Sequence, residues 1–432
     1  MTGTACARVA SVDAWEALDS RGRPTVAALV ALSDGAKGTA MAPSGASTGS
    51  HEASELRDGH ARYDGRGVLR AVGHVRTVLA PALIGLKPRS VDDALAAVDP
   101  TPGFAAVGAN AVLSVSVAAR AAARSAGHSL AWHLAGPEDP LLLPMPMVNV
   151  LSGGAHAGAV IDIQDCLALP VGASPFSQAL QWAASVRQSA AHIAAGRGKP
   201  CSALVADEGG VAVPLETNRA ALGLVCDAIE HAGLEPGRDV GLAVDLAATQ
   251  FAVGDGYRWQ CENRDLNSAA LIDEVAGWCG DFPVVSVEDV LGEDDWTGWK
   301  GATDALGNRI ELVGDDLFVT QTDRLRRGIS AGVANSALIK VNQNGLLGRT
   351  RDVLRLARGA GYSTVVSARS GDTEESWLAD LAVGWRAGQI KVGSTRRSER
   401  TAKWNRQLQF EALERVTFAG PWPDGRPRRE FQ

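Results

Sequence analysis

The sequence predicts an α/β protein: a barrel of repeated strand–helix units over residues 140–432, behind a separate α+β unit over residues 1–135. Two observations predict the barrel. First, five short apolar runs each end in a charged residue: 240–245 in Asp245, 283–288 in Glu288, 310–315 in Asp315, 336–340 in Lys340 and 388–391 in Lys391. Second, those charged ends are spaced by 43, 27, 25 and 51 residues. A strand, a loop, a helix and a return fill the shorter steps, and the last is about two such units. A βα repeat of this kind closes into a barrel whose active site lies where its strands end. The five side chains should therefore converge on one mouth.

The N-terminal unit reads differently. Residues 8–13 and 25–32 alternate in the manner of strands, with a polar turn, 19–24, between them. A glycine-rich loop, 42–49, has the small, mobile composition of a closing lid, although a plain surface turn has the same composition. Apolar residues recur at helical spacing near 66–86, 91–98 and 107–126. Residues 134–140 read as a linker.

Composition excludes several classes. With 46% hydrophobic and 21% charged residues, the 432-residue chain has an ordinary globular balance. A net charge of −7 argues against nucleic acid as a partner. No apolar run reaches the roughly 18 residues of a membrane span, and no secretory signal stands at the start. Six scattered cysteines without a CxxC fit reduced thiols and a cytoplasmic location. Gly153, Gly154 and Gly158 do not follow a GxGxxG pattern, so no dinucleotide cofactor is expected.

Residue chemistry narrows the reaction. Three carboxylates, Asp245, Glu288 and Asp315, make a hard-cation site suited to Mg²⁺. Only seven of the 42 basic residues are lysine, yet lysine stands at two apolar strand ends. Arginine cannot lose its proton near neutral pH, whereas a desolvated lysine can, so Lys340 and Lys391 offer a base and a charge clamp. Asp207 and Glu208 precede a double glycine and could protonate a leaving hydroxyl, unless they are only an acidic turn. His156 falls in a loop after a strand, where a solvated side chain is the simpler expectation. Arg369 and Ser370 follow another strand and could clamp an oxyanion or phosphate. Together these groups fit one mechanism: proton removal beside a metal-chelated carboxylate, then acid-assisted loss of a β-leaving group.

At this point the chain resembles the enolase family over nearly its whole length. The matching segments begin at Asp19-Ser-Arg-Gly, Ser44-Gly-Ala-Ser-Thr-Gly, Glu55-Leu-Arg-Asp-Gly and Gly108-Ala-Asn-Ala. They continue through Asn149-Val-Leu-Ser-Gly-Gly-Ala-His, Asp207-Glu-Gly-Gly, Ser286-Val-Glu-Asp, Gly314-Asp-Asp-Leu, Lys340-Val-Asn-Gln, Arg369-Ser-Gly and Gly388-Gln-Ile-Lys. The resemblance implies an α+β cap on an eight-stranded barrel, and a homodimer that a higher assembly could extend. It implies two Mg²⁺, one on Asp245, Glu288 and Asp315 and one reached by Ser47 on the lid. It implies Lys340 as base, Glu208 as acid, Lys391 on the substrate carboxylate, Arg369 and Ser370 on the phosphate, and His156 and Gln164 near the substrate. A lysine base with one or two Mg²⁺ is the general pattern of such sites.

Two positions depart from the family pattern. The His-Arg-Ser segment reads Ala368-Arg369-Ser370, and the Gln-Glu pair reads Gln164-Asp165, one methylene shorter. Loss of a phosphate-side group with metal ligands, base and acid intact points to the same elimination on an altered substrate. The expectation is a small phosphono carboxylate, making a carboxyphosphono enolpyruvate as in phosphinothricin-type biosynthesis. The alternatives are the housekeeping dehydration of 2-phosphoglycerate and a non-catalytic scaffold.

Overall fold

The computed structural model describes residues 7–46, 48–124, 129–135, 140–198 and 205–420. An antiparallel sheet, β1 (Val9–Leu18), β2 (Pro24–Leu32) and β3 (Lys37–Met41), opens the chain. Alternation over 7–32 accounts for β1 and β2. β3 is additional: only five residues long, with a glycine and no β-branched residue except Thr39, it carries little strand signal of its own. Helix Ala109–Ala123 packs across β2 and β3. Its sequence is apolar almost all round, and nearly every residue is buried. Helices Leu69–Leu83 and Val91–Val98 complete this layer. No single described helix is long and apolar enough to cross a membrane.

β4 (Leu141–Leu143) enters the second unit and pairs with the last strand, β17 (Val416–Phe418). Between them an eight-stranded barrel closes: β5 (Met145–Ser152), β6 (Asp165–Leu169), β8 (Gly241–Asp245), β12 (Val284–Glu288), β13 (Glu311–Gly314), β14 (Ser336–Ile339), β15 (Ser363–Ser367) and β16 (Gln389–Gly393), with β16 pairing back onto β5. A short strand, β7 (Val211–Ala212), adds beside β5.

The repeat is not uniform, which corrects the simple βα reading. β6 runs antiparallel to both neighbours, and two helices, Phe176–Gly196 and Asn218–His231, follow it before β8. Six βα units complete the ring. The long step from Asp245 to Glu288 holds an inserted meander, β9 (Ala252–Val253), β10 (Gly256–Trp259) and β11 (Arg264–Leu266). The step from Lys340 to Lys391 holds β15, as two units require. Inside the barrel Met145, Met147, Leu167, Leu169, Ala243, Val285, Val313, Leu338 and Val365 form a packed core separate from the larger one outside the strands.

Candidate active site

Side chains alternate along a strand, so the residue two places beyond an inward core residue also faces inward. Ala243 leads to Asp245, Val313 to Asp315, Leu338 to Lys340 and Val365 to Ser367. On β16 the inward position below Lys391 is Gln389, which donates to the buried Glu311. Register shifts on β12 between Val284 and Ser286, and Glu288 comes level with Asp245. On antiparallel β6 the same rule runs backwards: Leu167 leads to Asp165, at the start of the strand rather than its end.

These strand ends gather charge in a buried space. Lys391 Nζ lies 2.7 Å from both Asp245 Oδ2 and Glu288 Oε2. Gln164 Nε2 donates to the same Asp245 oxygen at 3.0 Å. Lys340 Nζ donates to Asp315 Oδ2, and Gln343 Nε2 donates to the other Asp315 oxygen. Burial, then the facing Asp245, holds Glu288 well above the ordinary carboxylate range. Burial disfavours the charged lysine at 391, but Asp245 and Glu288 outweigh it and keep the ammonium firmly protonated. Lys340 is likewise raised, against burial, by Asp315.

The acid trio fits a metal. Asp245 Oδ1 is buried without a hydrogen-bond partner, and the oxygen-only donor set suits a hard divalent cation. Asp289 orients Asp315 by accepting from the backbone N–H groups of Asp315 and Asp316 at 2.9 and 2.8 Å. Ser47 lies outside the described residues.

His156 lines the same pocket as the lysines and is buried rather than solvated as its loop position led us to expect. Its Nδ1 lies 2.8 Å from Asp165 Oδ2, and its Nε2 lies 3.9 Å from Glu208 Oε1. Asp165 also accepts from Asn149 Nδ2 and Ser152 Oγ, so both of its oxygens are engaged. Glu208 is buried in a turn, not an exposed acidic one. Burial alone would raise it, but His156, Arg400 and the two lysines hold it below its ordinary value. Burial works against a charged His156, yet Asp165 and Glu208 carry it up to about 9.

That shift makes a stability prediction. A histidine whose folded value lies above the unperturbed value of about 6.5 contributes stability that is full below pH 6.5 and lost as pH rises through 9. The melting temperature of the wild type should therefore fall more steeply between pH 6.5 and 9.5 than that of His156→Gln. Parallel curves would contradict the assignment.

Ser367, Ala368, Arg369 and Ser370, with Ala46 of the glycine-rich loop, line the same pocket as His156, Glu208 and the lysines. Arg400, fully buried, donates to the backbone oxygens of Arg369 and Ser370 and fixes this segment. Ser370 Oγ accepts from Ala46 N at 2.6 Å. Arg369 is paired with Glu52 at 2.9 and 3.1 Å, a partner that sequence reasoning missed. Asn149, Gln343 and Asp289 were missed as well. The pocket is small, about 20 Å³, room for water rather than for a three-carbon phosphate. Larger cavities lie between Arg326 and Arg355, about 550 Å³, and beneath the barrel at Tyr362, about 260 Å³. Neither is lined by a carboxylate or a lysine; a third, about 470 Å³, is lined by Lys37, Glu374, Glu375 and Asp380 but by none of the residues at the barrel strand ends.

Comparison with known proteins agrees with this geometry. The model described as enolase, C-terminal TIM barrel domain, matches residues 140–421, and that described as enolase, N-terminal domain, matches residues 9–134. The chain is 48% identical to the enolase of Mycobacteroides abscessus over 421 residues, covering 95% of this chain and 96% of that protein. It is 46% identical to the enolase of Sulfurimonas denitrificans over 405 residues, covering 93% and 96%.

Proposed function

The chain belongs to the enolase family, a family of lyases, and from that premise we propose that it dehydrates 2-phosphoglycerate to phosphoenolpyruvate in a Mg²⁺-dependent reaction. The observation that carries the proposal is that Lys340 and Glu208 line one pocket together with Asp245 and Lys391.

Asp245, Glu288 and Asp315 would hold Mg²⁺, which when bound supplies Lewis-acid stabilisation of negative charge on the substrate carboxylate. Lys391 holds that carboxylate by charge, and Arg369 with Ser370 holds the phosphate. Lys340 faces the same space, held by Asp315; were Asp315 a metal ligand, the lysine would lose the contact that keeps it charged, and as the neutral amine it takes the proton from C2. The electron pair left on C2 becomes the C2–C3 double bond as the C3–O bond breaks. Glu208 delivers the proton that lets the hydroxyl leave as water. The anionic substrate raises Glu208 towards its protonated form, and His156, held cationic by Asp165, is the nearest proton source. A second Mg²⁺, reached by Ser47, and a homodimer in the cytoplasm complete the proposal.

The carboxyphosphono substrate read from Ala368 and Asp165 gives way to this reading. The two relatives above, both named enolase, cover 95% and 93% of the chain. Asp165 retains an ordered role through His156, and Ala368 is only 5% exposed in a wall that Arg369 and Ser370 still furnish. Formation of the enolpyruvate, followed by absorbance, tests the choice. We expect Mg²⁺-dependent turnover of 2-phosphoglycerate that a chelator abolishes. Ala368→His should change it by no more than about tenfold, the effect of one hydrogen bond. Turnover of a carboxyphosphono analogue alone would overturn the assignment.

A further inference from the structure

We propose that His192 and His231 form a binding site for one transition-metal ion of the class that imidazole suits, Zn²⁺, Ni²⁺ or Cu²⁺, on the seam between the two helices that follow β6. Both side chains are exposed, one on helix Phe176–Gly196 and the other on the last residue of helix Asn218–His231. Their ring centroids lie 5.3 Å apart, with the planes tilted by 33°. Two imidazoles that share one ion at about 2.0–2.1 Å in a tetrahedral arrangement place their centroids about 5 Å apart, so the pair stands at chelating distance. One ring is also oriented: His231 Nδ1 lies 3.1 Å from Oγ of the buried Ser189. A ring that donates Nδ1–H to an oxygen keeps the lone pair on Nε2 for a metal, and such a partner is the usual companion of a metal-bound histidine.

The helix pair keeps the two rings together. Its members pack against one another. Ser189 and His192, three residues apart, share one face of the first helix. Five residues beyond His192, Arg197 pairs at 2.5 Å with Asp227, which lies four residues before His231. One chain segment advances as the other retreats, so both cross-helix contacts fall in one antiparallel register. Asp227 is committed to Arg197, and water fills the remaining positions around an ion held by the two rings. The donors differ in kind from those of the barrel mouth. The oxygens of Asp245, Glu288 and Asp315 suit Mg²⁺, whereas imidazole nitrogens suit the softer ions. An ion bound here cross-links the two helices and stabilises the native state, independently of the reaction proposed above.

Calorimetric titration of the full chain with Ni²⁺, in enough Mg²⁺ to occupy the barrel acids, tests the site. The wild type should bind Ni²⁺ at this pair, and its melting temperature should rise with the ion. His192→Gln and His231→Gln should each weaken that binding at least about tenfold, the least that losing even an orienting partner costs a metal-bound histidine, and should abolish the rise. Because both side chains are exposed, each variant should melt like the wild type without Ni²⁺. Cu²⁺ bound to the wild type gives a reading that needs no variant: its electron paramagnetic resonance spectrum should carry splitting from two imidazole nitrogens. Absence of Ni²⁺ binding by the wild type, equal binding by both variants, or a Cu²⁺ spectrum of oxygen ligands alone would each overturn the site.

Discussion

Replacing Lys340 with alanine should reduce turnover of 2-phosphoglycerate by at least about a thousandfold while leaving the protein folded. General bases contribute about 10² to 10⁴ in rate, and no other uncommitted base lines that wall. Lys391 is locked between Asp245 and Glu288, and His156 is turned towards Asp165 and Glu208. Among the described residues Lys340 is held by Asp315 alone, an acid that a bound metal would claim. The substitution removes one cation from a pocket that keeps Lys391 and Arg369, so substrate binding should weaken far less than kcat. A KM effect larger than the kcat effect would make Lys340 a binding group instead. Circular dichroism and melting temperature close to wild type are part of the expected result.

Lys391→Ala should give the largest stability effect. In the metal-free protein its ammonium separates two buried carboxylates, each at 2.7 Å. Removing one partner of a buried ion pair typically costs about 3–5 kcal/mol because the remaining charge has no compensation. Glu288 already stands well above its ordinary range through burial and Asp245, and without Lys391 it must take up a proton or repel its neighbour. The variant should therefore melt well below the wild type without metal. Mg²⁺ should raise its melting temperature more than it raises that of the wild type, since a cation bound only by the native state replaces the lost charge. Equal shifts with Mg²⁺ in both proteins would show that these acids are not where the metal binds.

The sequence disclosed the parts of the site that obey a local rule. In a parallel strand the last residues face the mouth, so Asp245, Glu288, Asp315, Lys340 and Lys391 could be found by asking where apolar runs end in charge. Asp165 escaped that rule because β6 runs the other way and presents its first residue to the mouth; the family resemblance, not periodicity, drew notice to it. His156 looked solvated because a single histidine in a glycine-rich loop carries no sign of the Asp165 carboxylate that buries it. Glu52, Asn149, Gln343 and Asp289 act across distant segments. Arg369 and Glu52 are 317 residues apart, and nothing in either neighbourhood foretells the pair. β3 and the β9–β11 meander were likewise too short to stand out as strands, whereas the long buried helix Ala109–Ala123 was plain from the helical spacing of its apolar residues.

The role of each group is tested most directly by following the C2 hydrogen of 2-phosphoglycerate. In deuterated water with Mg²⁺, the wild type and Glu208→Gln should both exchange that hydrogen for deuterium, because Lys340 works before the hydroxyl leaves. Only the wild type should form enolpyruvate at speed, and Lys340→Ala should do neither. Exchange that survives in Lys340→Ala, or that disappears in Glu208→Gln, would contradict the assignment of base and acid.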